Sequence, residues 1–183
     1  MYVRIRLMRS KQKLIKERGP SIAYISINLR MPIYYYIAAF VIFVVLILST
    51  RKPPLSLLLS YCFLILAATV FSRRVMGEAK LELMPFWSYK KAIAGHGLRN
   101  EILANILMFV PVGALLPMVV KRPVLIGIGF SAFIELLQLF THRGLCETDD
   151  VISNTLGLLM GFGALQLGRI LYHKIQNFLR QQR

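Results

Sequence analysis

Residues 123–140 read Pro123-Val-Leu-Ile-Gly127-Ile-Gly-Phe-Ser131-Ala-Phe-Ile-Glu135-Leu-Leu-Gln138-Leu-Phe140. The run is close to the ~20 residues that a helix needs to cross a bilayer. It holds a single charged residue, Glu135. A carboxylate at the centre of a spanning helix costs at least about 2.5–3.5 kcal/mol, so such groups are rare and usually have a partner and a task. Gly127, Ser131, Glu135 and Gln138 follow one another at steps of four, four and three, which puts them on one helical face. Two readings of that face stand side by side: a packing surface with a structural glutamate, and a substrate or proton site. The next segment, Arg143 to Gly157, supplies candidate partners in Arg143, Glu147, Asp149, Asp150 and Asn154.

Four further apolar runs share this length. They cover about Pro32–Thr50, Leu55–Phe71, Ile102–Val120 and Val151–Tyr172, and they stop at Arg51-Lys52-Pro53-Pro54, at Arg73-Arg74, at Lys121-Arg122-Pro123 and at a basic tail with Lys174, Arg180 and Arg183. The fold class expected is therefore all-α, an integral membrane bundle of about five transmembrane helices. The organisation expected is a basic amphiphilic arm over 1–31, a first span over 32–50, a membrane domain over 55–172 and a basic tail over 173–183. The first span is expected to be retained, because its basic flank is some thirty residues long and no small-residue cleavage site follows it.

Composition agrees. The chain has 183 residues, of which 56% are hydrophobic and 17% charged, and a soluble domain of that size cannot hide so much apolar surface. The net charge of +15 does not point to nucleic acid, because the basic residues flank the apolar runs. Their expected partners are the anionic headgroups of the lipid bilayer. With the N-terminus inside, the inner segments carry 15 Lys and Arg and the outer segments 8, so the positive-inside rule favours that orientation. Cys62 and Cys146 are spaced neither as a zinc site nor as a disulfide framework. No nucleophile elbow, phosphate-binding glycine loop or zinc motif is present, and no Ser/His/Asp arrangement can be assembled.

Several local features bear on the site. Pro111 removes a donor from the third run and is expected to kink it, with Asn105 about one turn before the disturbed carbonyls. Gly157 and Gly161 form a GxxxG pair, expected to let another helix pass closely. Asp149 and Asp150 open the last run, where they can cap it and favour its dipole, or join Glu147 and Asn154 as oxygen ligands for a hard cation. No second acidic motif completes a metal-diphosphate site, so metal and cofactor stay open. Leu83 to Tyr89 is too short to span. It suits the interface or a re-entrant cover, and His96 between two glycines reads as a loop histidine.

Four of these segments together resemble the VanZ-like family of bacterial membrane proteins. They are Asn105-x-x-x-Phe109-x-Pro111-x-Gly113; Glu135-x-x-Gln138; Arg143, the acidic run Glu147-Thr-Asp149-Asp150 and Asn154-Thr-x-Gly157; and, upstream, Pro85-Phe86. The resemblance covers about Leu55 to Gly168, and Glu147 stands where the family more often has an aspartate. It implies the bacterial cell membrane, a multi-pass protein of the cell envelope, and a link to glycopeptide antibiotics, chiefly teicoplanin; it implies no known reaction. The candidate polar centre is Glu135, Gln138, Arg143, Asp149, Asp150 and Asn154. Glu135 stands as base or proton carrier, Arg143 as a bidentate binder of phosphate or carboxylate coupled to Asp150, and the acidic pair as a cation holder or as the partner that orients Arg143. The ligand expected is lipid-linked or peptidoglycan-related. The alternative is a non-catalytic scaffold or partner subunit in which the same residues form a buried structural network. A ligand outside the cell would need this cluster to face outward, whereas the charge count places it inside.

Overall fold

The computed structural model describes residues 31–75, 80–95 and 98–181. The amphiphilic arm up to residue 30 and His96 lie outside the described residues. Helix α1 covers Ile33–Thr50 and α2 covers Pro53–Leu66, the latter prolonged by a π-turn over Ala67–Phe71. Strand β1, Lys80–Glu82, and the short helix α3, Trp87–Ile93, follow. Helix α4 is Arg99–Leu115, continued by a 3-10 turn over Leu116–Met118, and α5 is Pro123–Thr141. Strand β2, Leu145–Glu147, leads into α6, Thr148–Gln181. Among the described residues, five helices are long and apolar enough to cross a membrane, as the all-α expectation requires.

Prolines set where these helices begin. Pro53-Pro54 and Pro123 occupy the first turns of α2 and α5, where a missing N–H goes unused and the fixed φ suits a helix. Pro53-Pro54 thus start a span as well as ending the one before. Arg51 and His142 close α1 and α5 in the left-handed conformation, with φ of 53° and 54°. Pro111 lies inside α4, and the helix runs through it unbroken. Tyr61 of α2 donates its hydroxyl to the carbonyl of Met108 at 3.0 Å in that turn. Helix α6 does not stop near Tyr172 but runs for 34 residues, about 50 Å at 1.5 Å per residue. Most of the basic tail is therefore helical and extends beyond what a ~30 Å hydrocarbon layer requires.

The most extensive contact in the bundle is between α4 and α6. The two helices run in the same direction, and their backbones touch. A methyl group at Gly157 would overlap the carbonyl of Ile106, one at Gly161 that of Val110, and one at Gly113 that of Leu158. Leu158 fills the gap on the other side, where it occupies the space over Gly127 of α5. Around this seam a core forms from Leu58, Ile65 and Val70 of α2 and its π-turn, Phe109, Val112 and Leu116 of α4 and its 3-10 turn, Ile134 of α5 and Leu158 of α6. Helix α1 packs chiefly on α2 and buries Ala39 alone.

One feature has no signal in the sequence pattern. β1 and β2 pair in parallel, with Lys80 opposite Leu145, Leu81 opposite Cys146 and Glu82 opposite Glu147. This short ladder ties the segment after α2 to the segment after α5 at one end of the bundle.

Gly157→Leu and Gly161→Leu should each destabilise the protein by about 1–3 kcal/mol through overpacking against backbone that cannot yield. Gly163, with open space around its Cα, is the control and should accept leucine. Thermal unfolding in detergent checks this: equal losses at 161 and 163, or none at either, would show that the seam is not where the structure places it.

Candidate functional site

The face of α5 expected to be polar is buried throughout. Gly127, Ser131, Glu135 and Gln138 all lie within the bundle. Each polar member meets a different element. Ser131 Oγ accepts from Asn154 Nδ2 of α6 at 2.9 Å, with both side chains buried. Glu135 Oε2 accepts the backbone N–H of Glu147 in β2 at 3.0 Å. Gln138 is 1% exposed, and its Oε1 has no hydrogen-bond partner; the same holds for Oδ1 of Asn154.

Asp149 and Asp150 are neighbours with separate tasks. Asp149 is fully buried, and both its oxygens serve α3. One accepts the N–H of Phe86 in a short bond, and the other accepts the N–H of Ser88 at 2.8 Å and its hydroxyl at 2.6 Å. The carboxylate therefore caps a helix other than its own, satisfying donors that the first turn of α3 leaves free. This also accounts for the Pro85-Phe86 pair. Phe86 stands at the start of α3 with φ of 64°, a conformation unusual for a bulky side chain, and the Asp149 bond holds it there. Tyr89 and Ser153 join their hydroxyls at 2.7 Å beside this cap.

Asp150 points to α4, where its Oδ1 accepts Nδ2 of Asn105 at 2.7 Å. Asn105 thus serves a carboxylate and not the carbonyls near Pro111. Phe109, four residues on, is fully buried and packs at 6.0 Å between ring centroids from Phe130.

Arg143 is not paired with Asp150. Its Nη1 donates to the carbonyls of Phe71 at 2.7 Å and Arg73 at 3.3 Å, at the end of the π-turn. The guanidinium within electrostatic reach of Glu101, Glu135 and Asp150 is that of Arg73. A methyl at Gly144 would stand 3.0 Å from Arg73 Nη1 and 2.5 Å from Gln138 Oε1, so these two groups meet over that glycine.

Glu82, Glu101, Glu135, Glu147, Asp149 and Asp150 are all the acidic side chains among the described residues, and all six are electrostatically linked at this end. Arg73, Glu82 and Glu101 escaped the sequence reading. Arg73 looked like an ordinary charge at a membrane edge. The four-residue step from Glu101 to Asn105 was the one usable signal. Among the described residues, no three His, Cys, Asp or Glu side chains are placed to hold a metal ion together, so the hard-cation reading of Glu147, Asp149, Asp150 and Asn154 gains no support.

Glu147 lies outside the spans, at the end of β2. Burial raises its pKa from the ordinary value near 4.5 to about 8, and Asp150, Glu101, Asp149 and Glu82 push the same way. The folded protein thus holds this proton more tightly than the unfolded chain. The associated stability is complete below the unfolded value, is lost as pH rises through the window up to about 8, and then levels off. In detergent the wild-type Tm should fall across that window, and Glu147→Gln should flatten the fall. Parallel curves for the two proteins would show that Glu147 ionises freely.

Comparison with known proteins identifies a family. The VanZ/LLP1 family model matches residues 35–169, which takes in most of α1 and the whole polar centre. No curated protein and no solved structure matches the chain. A match over so much of the sequence, on helices of this length and polarity, makes the chain a membrane protein of the VanZ/LLP1 family.

Proposed function

We propose that this protein is a multi-pass component of the bacterial plasma membrane that binds a lipid-linked or peptidoglycan-related ligand at the Arg73 face of the polar centre, and that it lowers susceptibility to glycopeptide antibiotics, teicoplanin foremost. The observation that carries this reading is the charge arrangement. A chain of net charge +15 gathers every described carboxylate at one end, and the exposed Arg73 lies within electrostatic reach of three of them. A network made only for packing does not need an exposed guanidinium.

The chemistry fits an amphiphile with an anionic headgroup. A guanidinium binds phosphate or carboxylate through two parallel hydrogen bonds. Glu135, which accepts the Glu147 N–H, lies within electrostatic reach of the Arg73 guanidinium and can share a hydrogen with a ligand hydroxyl. Leu81, Leu83, Met84 and Phe86 expose apolar side chains on the covering segment, where an acyl or polyprenyl chain would lie. Counted along the sequence with the N-terminus inside, the inner segments carry 15 Lys and Arg against 8, so the positive-inside rule supports a ligand met at the inner leaflet. Anionic headgroups are the natural neighbours of both basic ends.

The scaffold reading has support of its own in part of the centre. Asp149 and Asn154 are bonded to Phe86, Ser88 and Ser131, and these bonds support an architectural role for them. The functional bet therefore narrows to Arg73, Glu135, Gln138, Glu147 and the Asn105–Asp150 pair.

Expression in a teicoplanin-susceptible bacterium tests this. The wild type should raise the inhibitory concentration. Arg73→Ala and Glu135→Gln should reach the membrane in normal amounts and return it to the level of the empty host. Full protection by both variants would overturn the site; their loss from the membrane would make these residues structural.

A further inference from the structure

Resting on the reading that Arg73 binds the ligand, we infer that Arg143 is a positioning residue: together with the π-turn at the end of α2 it sets where the Arg73 guanidinium stands. Four observations converge on this.

The first is the turn itself. The N–H of Ser72 bonds to the carbonyl of Ala67 at 2.9 Å, one residue further back than in an α-helix. One extra residue is absorbed, so Arg73 takes roughly the direction that an uninterrupted helix would give to Ser72. The turn therefore decides which side chain faces the carboxylates.

The second is the clamp. A helix end leaves carbonyls without partners. Here the carbonyls of Phe71 and of Arg73 itself take Nη1 of Arg143. One guanidinium thus holds the backbone on which the other is mounted. The third is that Arg143 has a fixed base. Its own N–H donates to the carbonyl of Gln138 at 3.0 Å, just after His142 closes α5 in the left-handed conformation.

The fourth is Gly144. Its φ is not in the left-handed region, so backbone freedom is not the reason for a glycine there. Space is the reason, because a side chain would press on Arg73 Nη1 and Gln138 Oε1. Arg143-Gly144 therefore works as a unit: the arginine fixes the backbone of Arg73, and the glycine leaves room for its guanidinium.

The test uses the full chain in membranes and in detergent, with Arg143→Ala, Arg143→Lys, Arg73→Ala and the double variant Arg73→Ala/Arg143→Ala. Amide hydrogen exchange over residues 71–74 reads the clamp directly. Arg143→Ala should speed exchange there by about fivefold or more, as expected when a local contact is lost, and Arg143→Lys, which still reaches the carbonyls, should restore most of the protection. In the teicoplanin assay Arg143→Ala should fall as far as Arg73→Ala at normal membrane abundance, the double variant should fall no further, and Arg143→Lys should retain activity. Unchanged exchange in Arg143→Ala overturns the clamp. So does a loss in Arg143→Lys equal to that in Arg143→Ala, which would mean direct bidentate contact with the ligand. Full protection by Arg73→Ala overturns the underlying reading of the site, and the exchange measurement still decides the clamp by itself.

Discussion

The direct contact between the backbones of α4 and α6 is the constraint on which the rest of the structure depends. Gly157 and Gly161 let the carbonyls of Ile106 and Val110 come where side chains would otherwise stand, and Gly113 does the same for Leu158. In a membrane, apolar side chains gain little by leaving lipid, so close packing of this kind carries much of helix association. Its consequence is positional. The turn of α4 just before Ile106 carries Asn105, and the α6 turns before Gly157 carry Asp150 and Asn154. Once the seam is set, Asn105 meets Asp150, Asn154 meets Ser131, and Leu158 keys into the space over Gly127.

The second organising fact is the segregation of charge. The end of the bundle with Arg51, Lys52, Lys121 and Arg122 has only cations, whereas the other end holds every described carboxylate. Carboxylates so close to one another are held by two kinds of compensation. Donors from the fold take Asp149, Asp150 and Glu135, and Arg73 supplies the opposing charge. Two buried amide oxygens, on Gln138 and Asn154, are left without partners. Buried polar groups are rarely left so, and each one asks for a reason. Gln138 Oε1 and Arg73 Nη1 both border Gly144, which puts one of these oxygens where a ligand bound by Arg73 would complete it.

Much of this was legible in the sequence. Length, apolar content and basic flanks defined five spans. The period of α5 picked out Ser131, Glu135 and Gln138 as one face, because a helix converts spacing into direction without help from other segments. The GxxxG pair named the packing face of α6 for the same reason. What escaped depends on pairings between segments far apart in the chain. Asn105 and Asp150 are 45 residues apart, and Phe86 and Asp149 are 63 apart, and nothing local links them. Arg143 was chosen over Arg73 as the site cation because it lies close to the acids in sequence; in space its guanidinium turns to helix-end carbonyls. Strands of three residues have no usable period. Helix α6 runs past Tyr172 because neither proline nor glycine follows Gly168, a signal outweighed by the length that one crossing needs.

If the seam delivers the site, Asn105 and Asp150 must be energetically coupled across it. A double-mutant cycle on Asn105→Ala and Asp150→Ala, read as thermal stability in detergent, measures this without knowledge of the ligand. The structure predicts a coupling of about 1 kcal/mol or more, as for a hydrogen bond to a charged group. Strict additivity of the two substitutions would contradict the account, because it would mean that α4 and α6 do not bring these side chains together.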